Sequence, residues 1–574
     1  MTKAFYLNAV IVPARTSFLL LLFVFVVVYS AAPSRFGSAL PDTDNYIGSS
    51  VCVTCHSNLY EGYSATPMAH SSGKVGSGAF REKFELSSFT HVRSGARYRV
   101  FKEQDGYYFE FVRKPLKTSS QEIRGQRRMD YYIGSGAVGR SYAFSLDGFL
   151  FQAPVAYYSG PEQWNLSPGY DQYDRVYLTR PIEADCLQCH ASRVQPINGT
   201  PNRYSEIPFL EGGIGCERCH GPGRKHVEKM QSSEAEGPRE IINPAKLKPL
   251  QRDSVCAQCH LTGEVRVSRP GRSLSMYQPG DLLSDYAVSL VWAESQASGL
   301  RVTSHFEDLW RSRCKKASGS RFWCGSCHNP HRIIPNAQRP EYFRQKCLAC
   351  HRNSDCQSNL ELRAKNKNDC IGCHMPKNPQ LNVEHAVFTD HSIPKLVYGK
   401  QRREARAGKM PLVAFWGGPA ETRELGLAYA RLASREKNED YYARAFELLK
   451  QAEARKPSDP QVMLQLGYLY DHAGEEDKAM TFYERARSAD PSLVEASVNL
   501  GSDLAIRGRL KEAMSLWEDA LKRYPSLETA RINLALAYLR DGNAASAEAT
   551  LRQALEYEPD SQTVRKRLAE HVRK

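Results

Sequence analysis

No apolar run in this chain of 574 residues approaches the ~20 residues that a membrane-crossing helix needs. The longest, Phe18–Tyr29 (FLLLLFVFVVVY), has twelve, which excludes a multi-span membrane protein. Cysteine is absent after Cys373, so the last third of the chain folds without thiol chemistry. Upstream, only two of the sixteen cysteines, Cys314 and Cys356, fall outside one repeated five-residue pattern. That leaves little for the disulfide framework an exported, cysteine-rich chain would ordinarily carry. Acidic residues are in deficit, 63 against 77 basic ones, and no nucleic-acid-binding motif accompanies the resulting charge of +14. With 24% charged and 41% apolar residues the bulk is globular and not disordered.

The apolar run follows Lys3 and Arg15 and precedes the small residues Ser30, Ala31 and Ala32. This is the pattern of a signal peptide over residues 1–32, cleaved near 30–32, with an uncleaved N-terminal anchor as the alternative. Residues 33–45 read as a flexible linker. The chain is therefore expected to be exported, periplasmic in a bacterium, and attached to the membrane only if the first segment is retained.

Fourteen cysteines form seven copies of Cys-x-x-Cys-His: CVTCH from Cys52 and Cys55 to His56, CLQCH (Cys186, Cys189, His190) and CERCH (Cys216, Cys219, His220). The series continues with CAQCH (Cys256, Cys259, His260), CGSCH (Cys324, Cys327, His328), CLACH (Cys347, Cys350, His351) and CIGCH (Cys370, Cys373, His374). Two cysteines three positions apart share one side of a helical turn, where both sulfurs can form thioethers with the vinyl groups of one porphyrin. The following histidine then faces the iron. A zinc knuckle would need matched pairs of motifs, and a dithiol would need neither seven copies nor the histidine. The expected cofactor is seven covalently attached haem c.

Residues 43–400 hold seven further histidines, His70, His91, His226, His305, His331, His385 and His391, one for each second axial position. The blander reading of any one of them is a surface or core residue. His226 and His331 follow motifs so closely that each is expected to reach a neighbouring haem rather than its own. Met68 is a weaker candidate beside His70, and if His91 is no ligand one haem keeps an open face. Cys314 and Cys356 are read either as a mutual disulfide or as free buried thiols.

Between the first two motifs, aromatic and β-branched runs flank Asp105-Gly106 and Asp147-Gly148, which predicts hairpins in a β-rich insert at about 80–165. Its aromatics are read as core, and Arg124, Arg127 and Arg128 as a solvated face. After a linker at 401–420 the composition turns helical. Pro457, Pro491, Pro525 and Pro559 fall 34 residues apart, and Gly474, Gly508 and Gly542 keep the same step. With Leu466, Leu500 and Leu534 and the alanines in register, this is the tetratricopeptide period. Repeats are expected at 460–493, 494–527 and 528–561, after an irregular one at about 421–459 and before a capping helix. Such an array offers a concave surface to a protein partner; the alternative is a domain that only braces or dimerises the module before it.

The positive charge is explained without nucleic acid, because seven haems bring fourteen propionates, partly offset by ferric iron. A residual basic patch could steer an acidic redox partner.

The segments VCVTCHSNLYEGYSATPMAH, DYYIGSGAVGRSYAF, QAPVAYY, WNLSPGYD, GCERCHGPGRKH, CGSCHNPH and DCIGCHMP with HAVFTDH resemble exported multihaem cytochromes c. The related group is that of the nitrifiers' tetrahaem cytochrome, within the hydroxylamine oxidoreductase superfamily, here with tetratricopeptide repeats appended. The resemblance implies bis-histidine haems in closely stacked pairs, with ligands at His70, His226 and His331, and it supports pairing Cys314 with Cys356. The Cys-x-x-Cys-Lys motif of nitrite reductases is absent, as is the extra haem motif with cross-linking tyrosine of hydroxylamine oxidoreductases. The fold expected at 46–400 is a heptahaem module of short helices and loops with the small β-rich insert, followed by an all-α solenoid at 421–574. The leading expectation is an electron carrier that docks a redox partner protein through its repeats. An enzyme acting on a small nitrogen or sulfur compound at one five-coordinate haem is the second reading, and a scaffold or redox sensor the third.

Overall fold

The computed structural model describes residues 45–572, except 78–81, 86, 105, 115–121, 233–239, 294–304, 380–386 and 396–410. The N-terminal apolar run, His385 and the first half of the 401–420 linker lie outside the described residues. Among the described residues no helix is long and apolar enough to cross a membrane. The chain divides into two compact units, one ending at Arg455 and one beginning at Lys456.

In the first unit, two antiparallel sheets occupy residues 72–166. A four-stranded sheet runs Ser87–His91, Ala96–Glu103, Gly106–Arg113, Ile123–Arg128 in sequence order. A five-stranded sheet joins Ser72–Lys74, Tyr131–Ile133, Gly139–Leu146, Phe149–Tyr158 and Gln163–Leu166. Both expected hairpins form. In the second, Leu146 pairs with Phe149, and Asp147 (φ 53°) and Gly148 (φ 79°) supply the two positive φ angles of a tight turn. The alternating aromatics bury Tyr98, Phe109, Phe111, Tyr142, Phe144 and Phe151, and Phe109 packs edge-on against Phe144 at 5.9 Å to join the sheets.

The β content is not confined to this insert, which corrects the expectation of a module made mainly of helices and loops. Further strands are Ala191–Pro196 with Tyr204–Gly212, Val265–Ser268 with Ala287–Trp292 and Leu412–Ala414, and Lys377–Pro379 with Val387–Thr389. These strands are short, and their apolar residues sit between motifs whose own spacing dominates the pattern. The motifs themselves lie on helical turns, such as Glu217–His220, Pro249–His260 and Cys370–His374.

The helix pair Thr422–Glu436 and Glu439–Arg455 also belongs to this unit. Arg431 Nη1 donates to the Arg266 carbonyl (2.7 Å) and Arg423 Nη1 to that of Ser268 (2.9 Å). Arg269 pairs with the fully buried Glu424 at 3.1 Å, and the Leu412 amide donates to Tyr429 Oη at 3.1 Å. The pair thus covers the Val265–Ser268 sheet.

The second unit is a series of helix hairpins at the 34-residue period. The hairpins are Pro460–His472 with Glu476–Ala489, Val494–Ile506 with Leu510–Arg523, and Glu528–Arg540 with Ala544–Tyr557, followed by Gln562–Val572. Ala479, Ala513 and Ala547 are fully buried, which lets paired helices approach closely. Gly474, Gly508 and Gly542 turn the chain between helices at φ 75°, 81° and 81°, a left-handed region costly for a side chain.

Candidate haem-binding cavity

The seven motif histidines and thirteen of the fourteen motif cysteines, all but Cys186, line one branched cavity of about 3470 Å³. That is several times the 300–1,000 Å³ of an ordinary small-molecule pocket. Thiols from different motifs meet within it: Cys52 with Cys216, Cys189 with Cys259, Cys256 with Cys324, and Cys347 with Cys370. The motifs therefore converge in space although more than a hundred residues separate some of them.

Four imidazoles from outside the motifs face motif histidines. Ring centres are 6.4 Å apart for His56 and His226, 5.9 Å for His220 and His331, 5.8 Å for His260 and His305, and 6.1 Å for His328 and His391. A metal held at about 2 Å by one nitrogen of each ring, with roughly 1 Å more to each ring centre, requires about 6 Å between centres. The first two pairs are stacked, with interplanar angles of 14° and 24°.

Hydrogen bonds fix which nitrogen points inward. His220 Nδ1 donates to the Ile242 carbonyl (2.7 Å), His391 Nδ1 to Thr389 (2.9 Å) and His374 Nδ1 to Pro394 (3.1 Å). A carbonyl only accepts, so Nδ1 carries the proton and, in the neutral ring, Nε2 is the nitrogen that can meet a metal. Burial pushes the pKa of His190, His260, His331 and His391 down, and that of His305 to about 3 and His328 to about 4, with neighbouring imidazoles adding to the last two. The neutral imidazole that these shifts favour is the ligating form.

The remaining candidates fare differently. His70 ends a short turn, is exposed and does not line the cavity, whereas Met68 does. His91 lies on a strand of the four-stranded sheet with Nδ1 2.8 Å from Ser94 Oγ, away from the cavity. Among the described residues no second imidazole stacks against His190, His351 or His374. Cys314 and Cys356 both line the cavity as free thiols and are not joined. Burial raises the Cys314 thiol, whose neighbouring thiol is Cys350, whereas Cys356 neighbours Cys370.

Several residues that matter here carry no signal in a motif search, because they occupy its variable positions. Glu217 is 4% exposed, and its carboxylate accepts from the amides of Ile47 (3.0 Å), Gly48 (2.8 Å) and Gly223 (2.8 Å). Arg218 Nη2 donates to the Gln188 carbonyl (3.0 Å) and to Gln258 Oε1 (2.8 Å).

Residues 170–221 match the family described as cytochrome c554 and c-prime. This span holds the CLQCH and CERCH motifs and the hairpin between them, and such a match implies covalently bound haem and electron transfer. The tetratricopeptide repeat family matches residues 439–496 and 504–570, and repeats of this kind mediate protein–protein interaction. No curated protein matches the chain. Among solved structures, MamA is 17% identical, covering 24% of this chain and 81% of its own at a TM-score of 0.23. PilF of Pseudomonas aeruginosa is 21% identical over 26% of this chain and 69% of its own, TM-score 0.24. A thermophilic tetratricopeptide protein of Thermus thermophilus is 24% identical over 25% and 80%, TM-score 0.22.

The haem-binding chemistry that the family match implies fits the residues present. Paired thiols on helical turns, an adjoining imidazole and a second imidazole at the spacing of a six-coordinate metal are the donor set of haem c.

Proposed function

We propose that this chain is an exported heptahaem c-type cytochrome that relays electrons, with its tetratricopeptide repeats docking a redox partner protein in the periplasm. The four facing imidazole pairs carry this reading. Each joins a motif histidine to one from a distant stretch, so His226, His331, His305 and His391 would be second axial ligands at His56, His220, His260 and His328. Haem c supplies a reversible one-electron couple. At those four motifs the chain's residues would hold the iron between two strong ligands and leave no coordination site for a substrate, which suits transfer rather than bond making. The relation to the hydroxylamine oxidoreductase superfamily and the export signal over residues 1–32 belong to the same proposal.

A second reading, an oxidoreductase acting on a small nitrogen or sulfur compound, is favoured by one observation. His190 faces no second imidazole among the described residues. Its carbonyl accepts from Ser71 Oγ at 2.8 Å, and Ser71 in turn bonds Gly134, near a cavity wall that includes Ile133, Val138 and Arg140.

Intact mass of the mature protein counts the haems, seven being expected. Electron paramagnetic resonance of the oxidised protein then separates the readings. Exclusively low-spin iron supports the carrier, and a high-spin fraction that shifts on adding nitrite or hydroxylamine supports the enzyme.

A further inference from the structure

The variable positions of three motifs interlock. Arg218 of CERCH bonds the Gln188 carbonyl of CLQCH and the Gln258 side chain of CAQCH, as described above. Gln258, 6% exposed, returns a bond from Nε2 to the Arg218 carbonyl (3.2 Å), and its own carbonyl accepts from Cys189 Sγ (3.7 Å) and Arg266 Nη1 (3.3 Å). Arg218 is half-buried, and its Nε is buried without a hydrogen-bond partner. No carboxylate is paired with it among the described residues. A guanidinium is always charged, and at a partly dehydrated site its field is weakly screened. Its hydrogen bonds to Gln188 and Gln258 place that charge where the three motifs meet.

The preceding residue does the reverse elsewhere. The Glu217 carboxylate accepts three amide hydrogens. It lies toward the first motif, since the Ile47 and Gly48 amides it holds lead directly into the Ser49–Cys52 turn. Adjacent residues of one motif thus turn opposite charges toward different parts of the cavity.

We infer that Arg218 is a positioning residue that raises the reduction potentials of the haems at Cys186–His190, Cys216–His220 and Cys256–His260 above that of the haem at Cys52–His56. Reduction removes one positive charge from each iron centre, so a fixed cation nearby favours the reduced state and a fixed anion disfavours it. An electron entering at the first motif then runs downhill into the three motifs that Arg218 joins. This rests on the haem reading proposed above, and the two fail separately.

The test is a potentiometric titration, followed by haem absorbance, of the full-length haem-loaded protein. Arg218→Gln is expected to move the midpoints of about three of the seven haems downward and leave the rest in place. Gln258→Glu, which sets a carboxylate against Arg218, is expected to do the same and serves if the first variant fails to mature. Arg218→Lys keeps the charge and is expected to hold the wild-type curve. The inference is overturned if the Gln258→Glu and Arg218→Gln curves superimpose on wild type, or if Arg218→Lys shifts as far as Arg218→Gln. A purified wild-type protein without haem would instead overturn the haem reading itself.

Discussion

An imidazole about 6 Å from another can share a metal with it only through facing lone pairs, and here backbone carbonyls occupy Nδ1 of His220 and His391 and leave Nε2 to face inward. His226→Ala removes the ring opposite His56 and is expected to turn about one haem in seven from low-spin to high-spin in the paramagnetic resonance spectrum. His70→Ala, at an exposed position off the cavity, is expected to leave the spectrum unchanged. The motif histidines were legible because the motif is local, five residues on one helical turn. The imidazoles that face them were legible only as a count. Which ring meets which motif depends on contacts such as His56 with His226, made by the fold of the whole unit. His91 shows the limit of counting: it sits in SSFTH, where strand alternation and Ser94 settle its surroundings. Arg218 was invisible because the motif's middle positions admit any residue.

At the level of elements, the helical repeat array was readable because the 34-residue period is written in packing residues that meet within one hairpin. Gly501 is such a residue: a Cβ there would stand 2.7 Å from Trp517 Nε1, which itself donates to the Val498 carbonyl at 3.0 Å. Gly501→Ala is expected to cost about 1–3 kcal/mol through overpacking, read as a lower melting temperature with the haem spectrum unchanged. On the same helix, Asp503 is 3% exposed, and burial, with Asp471 adding, pushes its carboxyl up to about 8. Between the ordinary carboxylate range near 4 and this value the folded state binds the extra proton. The contribution of Asp503 therefore falls as pH rises from about 4 to 8. Asp503→Asn is expected to melt like wild type near pH 4 and above it at pH 8, by about 1 kcal/mol. Equal melting temperatures at both pH values would refute this. The strands outside the 80–165 insert were not readable, since all but Tyr204–Gly212 are runs of three to six residues, with too few alternations to stand out beside the motifs.

For the whole molecule, the composition change near residue 420 marks where the sequence turns helical but not where the first compact unit ends. The pair Thr422–Glu436 and Glu439–Arg455 has the repeat's alanines, yet its outward arginines bond the strand carbonyls of Arg266 and Ser268. Glu424, with no exposed surface, neutralises Arg269 from the same helix. A helix pair can keep the hairpin pattern while its second face is recruited as the cover of a sheet, and a period alone cannot report that. Two truncations separate the alternatives. A protein ending at Arg455 is expected to load the full haem complement and to melt close to the full chain when followed at the haem band. One ending at Ala420 loses the cover, uncovering Leu412 and the buried Arg269 side of the sheet. The apolar burial of that sheet face, Leu412 included, is then lost, so this form is expected to melt well below the longer one or to aggregate. If the two melted alike, the helix pair would contribute nothing to the haem-binding unit, and the repeats would begin where the composition changes.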